Sequence, residues 1–129
     1  MRILLAEDDY ITRTNMVSFL STHGECDIAV DGMEAVEAFV TALEKGETYD
    51  LVCLDIMMPS VDGYQALLAI REAENSRGIS VDDGAKVIMV TALDGEKNVA
   101  MAYELGCTTY ISKPVVVKEF EEALQELGF

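Results

Sequence analysis

The stretch DLVCLDIMMPSVDG, residues 50–63, places a carboxylate at the end of an apolar run. The run LVCL is typical of a buried β-strand, and Asp55 follows it directly. A proline and an Asp-Gly pair then predict a turn into the next element. Because an isolated buried carboxylate is costly, we expect Asp55 to lie at the open end of its strand, beside groups that offset its charge.

Working outward from this stretch, five apolar runs alternate with five helix-like segments. This alternation predicts one α/β domain with a parallel sheet, right-handed crossovers and helices on both faces. Three runs are nearly continuous hydrophobes and should be the central strands. The first helix should turn Ile11, Met16, Phe19 and Leu20 mainly to one face, and the last helix Phe120, Leu124 and Leu127. The predicted strands are 3–6, 26–30, 51–55, 86–90 and 108–112, and the predicted helices are 10–22, 32–45, 63–75, 96–105 and 116–127.

Composition restricts the class of protein. The chain has 129 residues and a net charge of −15, which argues against binding to a nucleic-acid backbone or to an anionic membrane surface. Its three cysteines are widely spaced among apolar or small neighbours, so we expect buried free thiols and a cytoplasmic location. The last predicted helix reaches the C-terminus, so we expect a single domain over 1–129 with no output domain.

Polar residues follow the predicted strands at the edge where ligands bind in such sheets. Each has an ordinary explanation: Asp9 is expected to cap the first helix, and a lone lysine is usually a solvated charge. Together, however, the acids would repel one another unless a cation such as Mg²⁺ lay among them. A lysine and a hydroxyl beside that cation suit phosphoryl transfer. The residues are Glu7, Asp8 and Asp9 after the first strand, Asp55 after the third, Thr91 after the fourth and Lys113 after the fifth.

Four motifs carry a resemblance to a known family: AEDD (6–9), LDIMMPSVDG (54–63), VTA (90–92) and YISKP (110–114). In this order, at the ends of the expected strands, they resemble the response-regulator receiver domain of the CheY type. The resemblance covers essentially the whole chain. It implies a flavodoxin-like (βα)5 sandwich with a five-stranded parallel sheet of order 2-1-3-4-5.

The resemblance also implies a function in two-component signal transduction. Asp55 would be the phosphoacceptor, taking a phosphoryl group from a histidine kinase or a histidine phosphotransfer protein. The cofactor would be Mg²⁺ (or Mn²⁺), held by Asp8, Asp55 and the backbone carbonyl of Met57, with Glu7 acting through water. The protein would then be no enzyme towards external substrates and would catalyse only its own phosphorylation and dephosphorylation.

Further roles follow from the same resemblance. Thr91 would hydrogen-bond the phosphoryl group, Lys113 would pair with it, and the Lys113–Pro114 peptide bond would be cis. Thr91 and Tyr110 would form the switch that alters the face of the fourth helix, fifth strand and fifth helix, where an unknown downstream protein would bind. Met57 and Leu93 occupy the positions that tune the phosphoryl lifetime. Neither side chain can orient an attacking water, so we expect unassisted dephosphorylation.

Three alternatives are weighed against this assignment. A phosphatase of the haloacid-dehalogenase class needs a second acid two residues after the nucleophile, where this chain has Met57. A flavodoxin-like FMN module needs a hydroxyl- or Gly-rich phosphate loop after the first strand, where this chain has three acids. A degenerate receiver that takes no phosphate is disfavoured because all five expected side chains are present.

Overall fold

A computed structural model describes residues 1–92 and 95–129. Strands and helices alternate strictly along these residues, as the hydrophobic pattern predicts. The predicted bounds agree with the observed ones to within two residues. In chain order the elements are β1 (Arg2–Ala6), α1 (Tyr10–Leu20), β2 (Glu25–Ala29), α2 (Gly32–Lys45), β3 (Leu51–Leu54), α3 (Gly63–Asn75), β4 (Lys86–Thr91), α4 (Glu96–Glu104), β5 (Thr109–Ser112) and α5 (Val117–Glu126).

The five strands form one parallel sheet of order β2-β1-β3-β4-β5, which confirms the predicted topology. β1 lies between β2 and β3, so that Leu5 pairs with Ile28 on one side and with Cys53 on the other. Residues of β1, β3 and β4 are almost all buried, as expected for strands covered on both faces. All five carboxyl ends meet at one edge of the sheet.

Alternation along the strands divides the core into two layers. On β1, Leu4 and Ala6 face one cluster with residues of α2, α3 and α4, while Ile3 and Leu5 face a second cluster with residues of α1 and α5. The largest fully buried aromatic rings are Phe39 in the first cluster and Phe120 in the second. The helices therefore lie on both faces, as predicted.

The expected apolar faces are correct except at one position. Met16 and Leu20 of α1 are fully buried and Phe19 packs against their cluster, but Ile11 is 69% exposed. The prediction for Ile11 was wrong because this residue lies in the first turn of α1, at the carboxyl edge of the sheet. On α5, Phe120 and Leu124 are fully buried and Leu127 packs beside them.

The amphipathic helices are short. The longest, α2, has 14 residues, and no helix within the described residues is long and apolar enough to cross a lipid bilayer. Asp31 begins α2 by accepting a hydrogen bond from the Glu34 amide, and Gly46 ends the helix in the left-handed conformation.

All three cysteines are free; Cys53 and Cys107 are buried as predicted, whereas Cys26 is half-buried.

A buried ion pair lies near the start of β4, at the edge of the sheet where the strands begin. Arg71 and Glu74 of α3 are 2.7 Å apart and are 7% and 2% exposed. The Arg71 guanidinium also donates to the carbonyl oxygens of Ala85 and Gly106, and the Ala85 amide donates to Glu74. These bonds attach the polar segment 73–86 to α3 and to the α4–β5 connection.

Candidate functional site

The residues predicted to carry the chemistry meet at the carboxyl edge of the sheet. Glu7 and Asp55 follow β1 and β3, which are neighbours, and Thr91 ends β4. Lys113 follows β5, and its backbone amide donates to the Thr91 carbonyl oxygen at 2.8 Å. The parallel topology therefore brings four separate segments of the chain to one edge of the sheet.

Lys113 joins the two buried carboxylates of this cluster. Its Nζ lies 2.5 Å from Oε1 of Glu7 and 3.0 Å from Oδ2 of Asp55. Glu7 is 1% exposed and Asp55 is 5% exposed, whereas the lysine side chain is 19% exposed. Since two buried carboxyl groups share one ammonium, the cluster is suited to a further cation.

The loop after β3 fixes Asp55 in place. The amide of Met57 donates to Asp55 Oδ1 at 3.2 Å, and the Met57 side chain points to solvent with 60% of its surface exposed. Ser60 adopts a left-handed backbone conformation with φ of 68°, which is uncommon for a residue other than glycine. Gly63 packs so closely that a Cβ there would lie 2.3 Å from the Asp55 carbonyl oxygen. A tight, specific loop thus orients the carboxylate.

The three acids after β1 have different environments. Carboxylate oxygens of Glu7, Asp8 and Asp55 all lie within 4.8 Å of one another, and Asp8 is exposed to solvent. Asp9 instead caps α1, because its Oδ2 accepts hydrogen bonds from the amide and the hydroxyl of Thr12. These hydrogen bonds lower the pKa of Asp9. Glu7 and Asp8 therefore lie beside Asp55, whereas Asp9 caps α1.

Burial and charge shift the ionisation of the central residues. Burial, together with hydrogen bonding to Asp55, raises the pKa of Glu7 to about 7, although Lys113 opposes the change. For Lys113, burial alone would lower the pKa, but the hydrogen bonds and charges of Glu7 and Asp55 outweigh it and raise the pKa above its ordinary value of 10.5. The lysine therefore remains a cation at neutral pH, while Glu7 is poised to take or release a proton.

The other predicted residues lie on β4, on β5 and in the segments that follow them. Thr91 is fully buried, and Tyr110 is half-buried and packs against the core cluster of α2 and α3. The Lys113–Pro114 peptide bond is cis, as the resemblance implied. Leu93, the second residue predicted to tune the phosphoryl lifetime, lies outside the described residues.

One residue that the sequence analysis missed supports the acidic loop. Arg13 of α1 donates from its guanidinium to the carbonyl oxygen of Glu7 at 3.0 Å and reaches that of Asp8 at 3.4 Å. Its guanidinium also lies 5.6 Å from the centre of the Tyr10 ring. The position of Arg13 one turn after the Asp9 cap, with three acids just before it, was the available signal.

Comparison with known proteins agrees with this fold and shows the family. A model of the family described as the response regulator receiver domain matches residues 3–125. The chain belongs to this family. Chemotaxis protein CheY of Treponema pallidum is 35% identical over 125 residues, which is 95% of this chain and 79% of that protein.

Two solved structures are similar over nearly the whole receiver domain. The CheX–CheY–BeF3–Mg²⁺ complex from Borrelia burgdorferi contains a chain with a TM-score of 0.84 and 27% identity, covering 100% of this chain and 90% of that one. The second structure is the receiver domain of response regulator Ssk1, solved with the histidine phosphotransfer protein Ypd1 of Saccharomyces cerevisiae. Its TM-score is 0.83 and its sequence identity is 27%, and the match covers 98% of this chain and 87% of that one.

Many curated relatives are far longer than this receiver domain. Two rice proteins named as probable histidine kinases are 31% identical over 96% of this chain, which spans only 12% of their length. The match therefore concerns the receiver portion of such proteins.

Proposed function

We propose that this receiver domain accepts a phosphoryl group on Asp55 from a histidine kinase or a histidine phosphotransfer protein. The observation that carries the proposal is the position of the Asp55 carboxylate. It lies at the end of β3, with Oδ2 on Lys113, Oδ1 on the Met57 amide and two further acids beside it. The neighbour solved with a histidine phosphotransfer protein supports the same class of donor.

In the proposed reaction an Asp55 oxygen attacks the phosphorus of a phosphohistidine. The new O–P bond forms as the P–N bond breaks, and the P–N electron pair returns to the imidazole nitrogen. The imidazole leaves in its neutral form after taking up one proton from solvent. Asp55 then carries an acyl phosphate, and water later attacks the phosphorus to regenerate the carboxylate and release inorganic phosphate.

The residues present fit a divalent cation. Three carboxylates within 4.8 Å of one another, one of them exposed, offer the hard oxygen ligands that Mg²⁺ or Mn²⁺ takes. We propose that Asp8, Asp55 and the Met57 carbonyl oxygen hold the ion directly and that Glu7 does so through water. When bound, the ion would supply positive charge to the carboxylates and to the oxygens of a transferring phosphoryl group.

Lys113 and Thr91 complete the proposed site. Lys113 already lies 3.0 Å from Asp55 Oδ2, so its ammonium is placed to pair with oxygens attached to that carboxylate. Thr91 ends the neighbouring strand, and its hydroxyl is proposed to donate to the phosphoryl group. Both residues would therefore stabilise charge on the phosphorylated aspartate.

We propose that phosphorylation is read out by a change of surface. Movement of Thr91 towards the phosphoryl group would alter the packing of Tyr110 and so change the face formed by α4, β5 and α5. This would be a shift between two populated states. The net charge of −15 favours a downstream protein with a basic binding surface over nucleic acid or a membrane.

The proposal extends to the setting of the domain. We propose that residues 1–129 act as one receiver unit. The free thiols fit a reducing, cytoplasmic compartment. The chain would process no external substrate and would catalyse only phosphorylation and dephosphorylation of its own Asp55.

Phosphorylation with a small phosphodonor tests the proposal. Wild-type protein, Asp55→Asn and the control Asp82→Asn would be incubated with acetyl phosphate and Mg²⁺, and intact mass would be measured. Asp82 is exposed and lies in the polar segment 73–86, so its variant makes the same charge change away from the site. We expect one phosphoryl group on the wild type and on Asp82→Asn, and none on Asp55→Asn. An unmodified wild type, or equal modification of Asp55→Asn, would contradict the proposal.

A further inference from the structure

The first turn of α3 is fixed against the backbone of the phosphoacceptor. A Cβ on Gly63 would lie 2.3 Å from the Asp55 carbonyl oxygen and 2.6 Å from the Ile56 Cα, so no gap separates the two segments. The Gly63 amide also donates to the Ile56 carbonyl oxygen at 2.8 Å. A reciprocal cap between Asp62 and Gln65 then holds the turn in shape. A backbone displacement at Asp55 must therefore move the start of α3.

Tyr64, the next residue, connects this turn to α4. Its hydroxyl oxygen is 3.2 Å from both the carbonyl oxygen and the side-chain oxygen of Asn98. Asn98 lies in the first turn of α4, whereas the Tyr64 ring is half-buried and packs against the core. Burial raises the pKa of the phenol, so the hydroxyl stays protonated and can donate. The bond thus joins the first turn of α3 to α4, one of the elements of the face proposed to bind a downstream protein.

Helix α4 is mostly exposed along its length. Of its nine residues, Ala102 is the one that is fully buried. The helix begins at Glu96, and the preceding cap residue, Gly95, has no side chain to cap it. Because most of α4 is exposed, the bond from Tyr64 to its first turn can help to set the position of the helix.

We propose that Tyr64 is a positioning residue that holds α4 in the arrangement belonging to the unmodified Asp55 carboxylate. In the structure the Tyr64–Asn98 bond occurs together with the Lys113–Asp55 ion pair. A change of charge and backbone position at Asp55 would act through Gly63 on Tyr64 and release α4. This route is separate from the proposed movement of Thr91 and Tyr110, and it rests on the proposed function.

The inference is tested with beryllofluoride and Mg²⁺, which together mimic a phosphoryl group on aspartate. Binding to wild type, Tyr64→Phe, Asn98→Ala and the double variant would be followed by amide NMR and compared with unfolding midpoints in urea. Tyr103→Phe is the matched control. Tyr103 lies on α4, the helix that carries Asn98, and its side chain is 48% exposed. We expect Tyr64→Phe to bind about fivefold more tightly, as loss of a hydrogen bond worth ~1 kcal/mol would allow.

The other variants and the wild-type response distinguish failure of the Tyr64 inference from failure of the proposed function. Asn98→Ala should increase affinity less, because the backbone carbonyl remains, and the double variant should show non-additive coupling. Unchanged or weaker binding by Tyr64→Phe, with a normal wild-type response, would overturn this inference alone, even if the variant were less stable. No Asp55-dependent response in the wild type would overturn the proposed function and this inference with it.

Discussion

The buried carboxyl group of Glu7 links the proposed site to the stability of the fold. It is 1% exposed, and burial followed by hydrogen bonding to Asp55 raises its pKa to about 7. Gln retains the size and hydrogen-bonding capacity of a protonated glutamate but cannot ionise. We therefore predict that Glu7→Gln stabilises the metal-free protein at pH 8 and changes its stability much less at pH 5.

The sign follows from proton binding in the two states. In the unfolded chain Glu7 has its ordinary pKa of 4.5. It therefore releases its proton at a lower pH than in the folded protein, where the pKa is about 7. Between these values the folded state holds more protons, so stability falls as the pH rises. The full difference is on the order of 3 kcal/mol, since one pKa unit corresponds to ~1.36 kcal/mol, and about 2.5 kcal/mol is lost from pH 5 to pH 8.

Urea unfolding at several pH values, with a chelator present, measures this effect. The difference in unfolding free energy between Glu7→Gln and wild type should grow by about 2.5 kcal/mol from pH 5 to pH 8. Lys113 does not interfere, because its raised pKa lies above 10.5 and its contribution is lost only beyond that range. Glu44→Gln, an exposed position on α2, is the control and should give a constant difference. A constant difference for Glu7→Gln as well would refute the reasoning.

Three other substitutions have defined outcomes. Met57→Asn places a side chain that can orient water beside Asp55, so phosphate release after phosphorylation, followed by intact mass, should accelerate roughly tenfold; unchanged decay would contradict this. Gly63→Ala forces its Cβ to within 2.3 Å of the Asp55 carbonyl oxygen and should cost about 1–3 kcal/mol in urea unfolding while weakening beryllofluoride binding; wild-type binding would show that the close packing is not needed. Glu74→Gln leaves the buried Arg71 guanidinium without its counter-ion and should lower the free energy of unfolding in urea by about 3 kcal/mol. An unchanged free energy of unfolding would mean that the ion pair contributes little.

The fold was predictable because its strands carry a strong local signal. β1, β3 and β4 are buried on both faces, so their sequences are nearly continuous hydrophobes, and the helices between them leave few topologies to consider. The exposed Ile11 was not predictable from periodicity alone. An apolar residue in the first turn of a helix satisfies the same spacing whether or not a strand lies beneath it.

The composition of the site was predictable, but its contacts were not. The ends of the strands indicated Glu7, Asp55, Thr91 and Lys113, since parallel topology brings such ends together. The backbone contacts of Arg13 and the Tyr64–Asn98 bond join residues on different elements. They depend on side-chain directions that no pattern within one element contains. The Arg71–Glu74 pair was missed for a related reason, because charged helix residues are mostly exposed.

Lys113 contacts both the residue that follows β3 and the residue that ends β4. Its side chain pairs with Asp55, while its backbone amide is bonded to the carbonyl oxygen of Thr91. The two residues proposed to hold a phosphoryl group are thus already joined through the paired ends of β4 and β5, where Thr91 is in register with Ser112. A change of charge at Asp55 that draws on either residue must shift the other. Tyr110, two residues before Ser112 on the same short strand, lies within reach of that shift.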